Sequence, residues 1–138
     1  MHRVAMWLSF KKQPSRNLVF PYKAKSPTLK KIITYDEDEL WKEIDRILRE
    51  DPDQKFTPGA SLYYNLVHCA DSTYFITPTT GMTIEEYMVT KRFSVPLASN
   101  IDDAEYERLV IFSAIDEEYN AIINEEQKKK HGRQKVHN

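Results

Sequence analysis

The strongest constraint on this chain is an apolar stripe near its end. Leu109, Phe112, Ile115, Tyr119 and Ile122 recur at helical spacing, and one face of a helix must bury them. The spacing predicts a long C-terminal helix from Asp102 past Ile123, with acids at its start and lysines at its end. Such a helix needs a partner layer. Glycine restricts what that layer is. The chain has 138 residues and only three glycines. Few glycines leave few positions that take left-handed turns cheaply, which disfavours a sandwich of many tight hairpins.

Upstream, the pattern changes twice. Residues 3–10 are a short, bulky apolar run, too brief for an ordinary helix, and they predict a strand. A second strand is expected over Asn17–Lys23, edged by Pro21, and a third over Leu29–Tyr35. Short links make these three an antiparallel meander. Helix follows. Thr34-Tyr35-Asp36-Glu37 is a capping box with Asp36 as the competing cap. Leu40, Ile44 and Ile47 then form a stripe, with Trp41 and Leu48 beside it. Asp51-Pro52 ends that helix, and residues 51–59 are a loop. Ala60–Ala70 predicts a helix apolar nearly all round. Ser72–Thr77 is a candidate fourth strand, and Pro78–Gly81 a turn. A capping box at Thr83 opens a short helix to about Lys91, and Phe93–Asn100 is a loop. The expected fold class is α+β: a small N-terminal antiparallel sheet of three strands, with the candidate fourth, packed on three to four helices. Residues 1–127 form one domain, and 128–138 a basic tail.

The net charge of −1 conceals a sorted layout. Residues 1–35 hold eight bases and no acid. Residues 36–126 hold all 21 acids against seven bases, and residues 127–138 hold five bases. Sorting of this kind concerns charged partners more than fold. The single cysteine, Cys69, allows no internal disulfide and suits a reducing, cytoplasmic setting. No stretch approaches 18 apolar residues, and Met1–Phe10 lacks the length and cleavage pattern of a signal peptide. No membrane association is expected.

The acid-free start interleaves cations with rings. Arg3, Lys11, Lys12, Arg16, Lys23 and Lys25 suit phosphates, and Trp7 and Tyr22 suit stacking on unpaired bases. Lys128, Lys129 and Lys130 extend the basic set into the tail. This predicts a non-enzymatic protein docking electrostatically on nucleic acid or a nucleoprotein complex. The alternative is an adaptor, assembly factor or inhibitor that mimics nucleic acid. Its acidic face would be Asp102, Asp103, Glu105, Glu107, Asp116, Glu117 and Glu118. Helix caps and dipole-matched first turns account for many of the acids without any partner.

Chemistry is weakly supported. Asp53-Gln54-Lys55, with Asp36, Asp38 or Glu39 upstream, matches the acid, then acid-x-Lys, pattern of metal-dependent nucleases. Pro52 and Pro58 place it in a loop, however, where that pattern needs a strand. His68, Cys69 and Asp71 cluster in sequence, but adjacent residues on a helix do not face each other. A buried Cys and a core His are expected there. Cys69, His68, His131 and His137 lack zinc spacing, and Gly81 lies in no phosphate-cradling loop. No cofactor or metal is called for.

Overall fold

The computed structural model describes residues 1–51, 55–94 and 103–136, the last segment with side chains for 106–132. The fold is α+β, with six helices and a two-stranded antiparallel sheet. The order is α1 (His2–Phe10), β1 (Tyr22–Lys25), β2 (Ile32–Tyr35), α2 (Glu37–Arg49), α3 (Pro58–Leu66), α4 (Ser72–Phe75), α5 (Pro78–Arg92) and α6 (Asp103–Val136). The expected three or four strands are therefore two. Residues 3–10 and Ser72–Phe75 are helical instead.

The first of these corrections has a packing reason. Val4, Ala5, Met6, Trp7 and Leu8 are all buried, so α1 has no solvent face and shows no amphipathic period. Period alone cannot separate such a helix from a buried strand. Its neighbours enclose it on all sides. Val4 and Leu8 join a cluster with Tyr35, Leu40, Ile44, Ile47, Leu62, Leu66, Cys69 and Phe75. Ala5, Met6 and Trp7 join a second cluster with Ala60, Ile84, Tyr87, Phe112, Ile115 and Ile122. Full burial of Val4, Met6 or Leu8 contributes about 1.5–3 kcal/mol each.

Local chemistry sets the other helix starts. Asp36, not Thr34, caps α2, its Oδ1 accepting from the Glu39 N–H at 2.7 Å. Twice a Thr-Pro pair opens a helix. Thr57 caps α3 and Thr77 caps α5, with Pro58 and Pro78 in the first turn, where a missing N–H costs nothing. The expected turn at Pro78–Gly81 is thus the first turn of α5. Thr83 lies inside that helix, its hydroxyl donating to the Thr79 carbonyl at 3.0 Å. Asp71 caps α4 by accepting from the Thr73 N–H at 3.0 Å, so Ser72–Phe75 winds rather than extends.

Where the stripes are amphipathic, burial follows them. Leu40, Ile44 and Ile47 of α2 and Phe112, Ile115 and Ile122 of α6 are buried. Leu109 and Tyr119 are half-buried, and Trp41 and Leu48 exposed. α6 runs unbroken through residues 128–136, so the basic segment continues the helix. The hairpin pairs Tyr22 with Tyr35, Lys23 with Thr34, Ala24 with Ile33 and Lys25 with Ile32. Side chains alternate across a strand. Tyr22, Ala24, Ile33 and Tyr35 face α2 and the first cluster, while Lys23, Lys25, Ile32 and Thr34 face solvent.

The scarcity of glycine leaves a mark on the backbone. Lys12, Asn17, Lys30 and Ser94 take left-handed angles, and no glycine does among the described residues. Lys12 sits just past α1. Its N–H donates to the Ser9 carbonyl at 3.1 Å, and the Gln13 N–H donates to that of Leu8 at 3.0 Å. This is the Schellman ending, which favours glycine at that position. A left-handed lysine costs about 1 kcal/mol. Lys12→Gly is expected to raise stability by roughly that amount, read as a higher urea midpoint at unchanged slope.

Candidate functional site

The structure places the basic N-terminal residues in two groups. The first faces α6. Arg3 donates to Glu118 at 2.6 Å and pairs with Glu117 at 3.2 Å. Lys11 pairs with Glu126 at 2.7 Å and Glu125 at 3.3 Å. Eight residues separate the two cations, and eight separate the two acid pairs. α1 and α6 therefore run side by side in the same direction, with their charges in register. Burial works against the Lys11 ammonium, but its two carboxylates outweigh this and hold it well above its ordinary value.

Glu118 lies at the centre of this contact and is fully buried. Its Oε1 accepts from the Trp7 indole at 2.9 Å and from the Thr57 hydroxyl. Its Oε2 accepts from Arg3 and from the Gly59 N–H at 3.3 Å. Four donors from α1 and the start of α3 satisfy one carboxylate, as a buried charge requires. The contact also explains Gly59. A Cβ there would meet the Glu118 carboxylate at 2.5 Å and the Arg3 carbonyl oxygen at 2.8 Å.

Two of the expected stacking rings are thus internal. Trp7 is buried and stacks on Tyr63 at 5.7 Å. Tyr22 donates to the Cys69 carbonyl at 2.7 Å and stacks between Phe20 and Tyr35. Arg3 and Lys11 are held by acids.

The second group is turned outward. Lys12, Arg16, Lys23 and Lys25 are exposed, as are Lys30 and Lys31 in the hairpin turn. Arg16 donates to the Val67 carbonyl at 3.1 Å. None of the six has a carboxylate within ion-pair distance among the described residues. A second buried carboxylate, Glu43 of α2, anchors the hairpin. It accepts from Ser26, Thr28, Tyr35 at 2.7 Å and Arg46 at 3.0 Å. Burial alone would raise its pKa, but these donors prevail and hold it below the ordinary 4.5. The basic end of the chain is equally outward. Lys128, Lys129 and Lys130 are exposed, and Lys129 pairs with Glu125 at 3.2 Å.

The acidic face fares differently. Glu118 is buried, Glu117 pairs with Arg3, and Asp116 accepts from Tyr87 and pairs with Lys91 at 3.1 Å. Glu107 is exposed. Asp102 and the side chains of Asp103 and Glu105 lie outside the described residues. Of these three central acids only Glu118 is turned inward, while Glu117 and Asp116 stay about half exposed and are paired within the molecule.

Two upstream acids of the nuclease pattern, Asp36 and Glu39, are engaged elsewhere. Asp53 lies outside the described residues. Asp51 accepts from the Lys55 and Phe56 N–H groups at 3.1 and 3.2 Å, Asp36 is a cap, and Glu39 pairs with Arg46. Among the described residues no three His, Cys, Asp or Glu side chains converge on a metal position. Cys69 is buried, and burial pushes its thiol up to about 11. His68 is exposed, contrary to the expected core His, and Asp71 is occupied by Ser15, Leu18 and Thr73. No described helix is long and apolar enough to cross a membrane.

A further feature went unread in the sequence. An open cleft of about 660 Å³ lies between α1, α3 and α6, lined by Trp7, Lys55, Phe56, Tyr64, Glu125 and Lys128 among others. Its residues are scattered over the chain, and only the pairing of α1 with α6 assembles them.

Compared with family models, with curated proteins and with solved structures, the chain matches none.

Glu118→Ala is expected to cost about 3–5 kcal/mol, because the buried Trp7 indole and Gly59 N–H lose their acceptor and Arg3 keeps only Glu117. Glu118→Gln should also destabilise, since an amide NH₂ must face other donors. Chemical denaturation of both variants checks this. Acid should weaken the fold as well. Glu43 and Asp116 have depressed folded pKa values, so the unfolded chain binds more protons at low pH. Their contribution is full above pH 4.5 and is lost as pH falls through the folded values. Urea titrations at neutral and acid pH should show this loss, smaller in Glu43→Gln.

Proposed function

We propose that this is a non-enzymatic binding protein that docks electrostatically on a polyanion, nucleic acid or a nucleoprotein complex, through its hairpin. One observation carries the reading. Lys23, Lys25, Lys30 and Lys31 are exposed within one short hairpin and have no acidic partner among the described residues. Lys23 and Lys25 lie two residues apart on the solvent face of β1, roughly 7 Å from each other. Lys30 and Lys31 extend the charge around the turn. Glu43 fixes the far side of the hairpin to α2, so the lysines stand on an anchored element and need little ordering on binding. The exposed Lys128, Lys129 and Lys130 supply a second basic patch.

Each phosphate neutralised releases counterions, so affinity should fall steeply with salt. Binding of single- and double-stranded RNA and DNA, titrated across salt concentrations, tests this. Reversal of Lys23, Lys25, Lys30 and Lys31 to Glu should abolish binding at physiological salt. Reversal of Lys128, Lys129 and Lys130 should weaken it and flatten the salt slope. Unchanged affinity for every nucleic acid in the hairpin variant would refute the reading.

A further inference from the structure

The cleft between α1, α3 and α6 combines three properties. It is aromatic: Trp7, Phe56 and Tyr64 line it, and the Phe56 ring is 58% exposed. The rings follow one another along the cleft, Trp7 and Tyr64 at 5.9 Å and 59° and Phe56 and Tyr64 at 6.5 Å. Phe56 and Tyr64 are tilted by 57°, so a planar ligand stacks on the exposed Phe56 face and meets the Tyr64 ring at an angle. It is cationic: Lys55 and Lys128 flank the rings and have no ion pair among the described residues. The carboxylate in the lining, Glu125, is already matched by Lys11 and Lys129. And it carries neutral polar groups, the Thr57 and Tyr64 hydroxyls and the amide of Asn124, which both donates and accepts.

Phe56 and Trp7 are held in place before any ligand arrives. Asp51 accepts from the backbone N–H groups of Lys55 and Phe56 and from the Ser61 hydroxyl. Trp7 is fixed by Glu118. The cleft's volume lies within the range of about 300–1,000 Å³ usual for small-molecule sites.

We infer that this cleft binds a nucleotide, its base stacked on Phe56 with its edge against Tyr64 and its phosphate between Lys55 and Lys128. Stacking on aromatic side chains accepts any base, and the lysines act as point charges on the phosphate. The Asn124 amide, which both donates and accepts, is able to read a base edge. The nucleotide is either free or part of a single strand. The site shares no residue with the hairpin and does not rest on it.

The test titrates adenosine monophosphate, uridine monophosphate, adenosine, inorganic phosphate and a short oligothymidylate into a Trp41→Phe protein. Trp7 fluorescence then reports the cleft alone, and calorimetry gives affinity. Saturable binding of a monophosphate or of the oligonucleotide is expected. It should weaken roughly tenfold or more in Phe56→Ala and in the Lys55→Glu/Lys128→Glu double variant. Binding of the monophosphates should be unchanged when the hairpin lysines are reversed, and the oligonucleotide is compared with them in that variant, where the hairpin no longer contributes. Equal affinity for the monophosphates and the oligonucleotide assigns the site to free nucleotides, and preference for the oligonucleotide assigns it to single strands. Both outcomes support a nucleotide site. Phe56 is exposed, so Phe56→Ala should keep its thermal transition. The inference is overturned if no nucleotide binds at millimolar concentration. It is equally overturned if inorganic phosphate binds as tightly as the monophosphates, or if neither cleft variant loses affinity.

Discussion

One buried carboxylate holds the two ends of this chain together. Glu118 accepts from Arg3 and Trp7 of α1 and from Thr57 and Gly59 at the head of α3. A charge in that position is costly unless every lone pair is engaged, so the three helices meet in one arrangement. Much else follows from it. The parallel pairing of α1 with α6 brings Lys11 to Glu125 and Glu126. The Trp7 ring closes the base of the cleft, and the two apolar clusters lie on opposite sides of α1. Glu43 repeats the device on a smaller scale, tying the hairpin turn to α2.

This internal pairing changes what the charge layout means. Part of the basic start and part of the acidic middle neutralise each other inside the molecule, by way of Arg3 with Glu117 and Glu118 and Lys11 with Glu125 and Glu126. A partner is needed only for what remains. The remainder is concentrated in the hairpin lysines and the exposed end of α6. Fewer cations are available than the raw count of the first 35 residues implies, but those that remain sit on a fixed surface.

How much of this was legible depends on the kind of element. α2 and α6 announced themselves because each has one wet and one dry face, and their stripes predicted Leu40, Ile44, Ile47, Phe112, Ile115 and Ile122 as core. The strand at Leu29–Tyr35 was found, with β2 occupying its second half. α1 was not legible by period, because a helix buried all round has none. A propensity argument was available, since Ala5, Met6 and Leu8 are strong helix formers and Val4 is the only β-branched residue in the run. The pairs Thr57-Pro58 and Thr77-Pro78 are cap and first-turn signals for α3 and α5 that were read instead as a loop and a turn. The matched spacing of Arg3 and Lys11 with the acid pairs at 117–118 and 125–126 was also in plain view. It becomes a signal only once α1 is known to be a helix, because eight residues of strand span about twice the length of eight residues of helix.

By itself, the sequence determined the α+β class, the long last helix, the apolar faces of the amphipathic helices and the segregation of charge. These are properties of neighbouring residues, and periodicity, capping and composition express them directly. Only the tertiary structure decided which charges are spent inside and which face outward. It also decided that Trp7 is a core ring, that Tyr22 packs half-buried against the core, and that Lys55, Phe56, Tyr64 and Lys128 line one cleft. Those facts depend on contacts between residues up to 115 positions apart. Such contacts are set by which buried faces and carboxylates satisfy one another, and no local pattern encodes that.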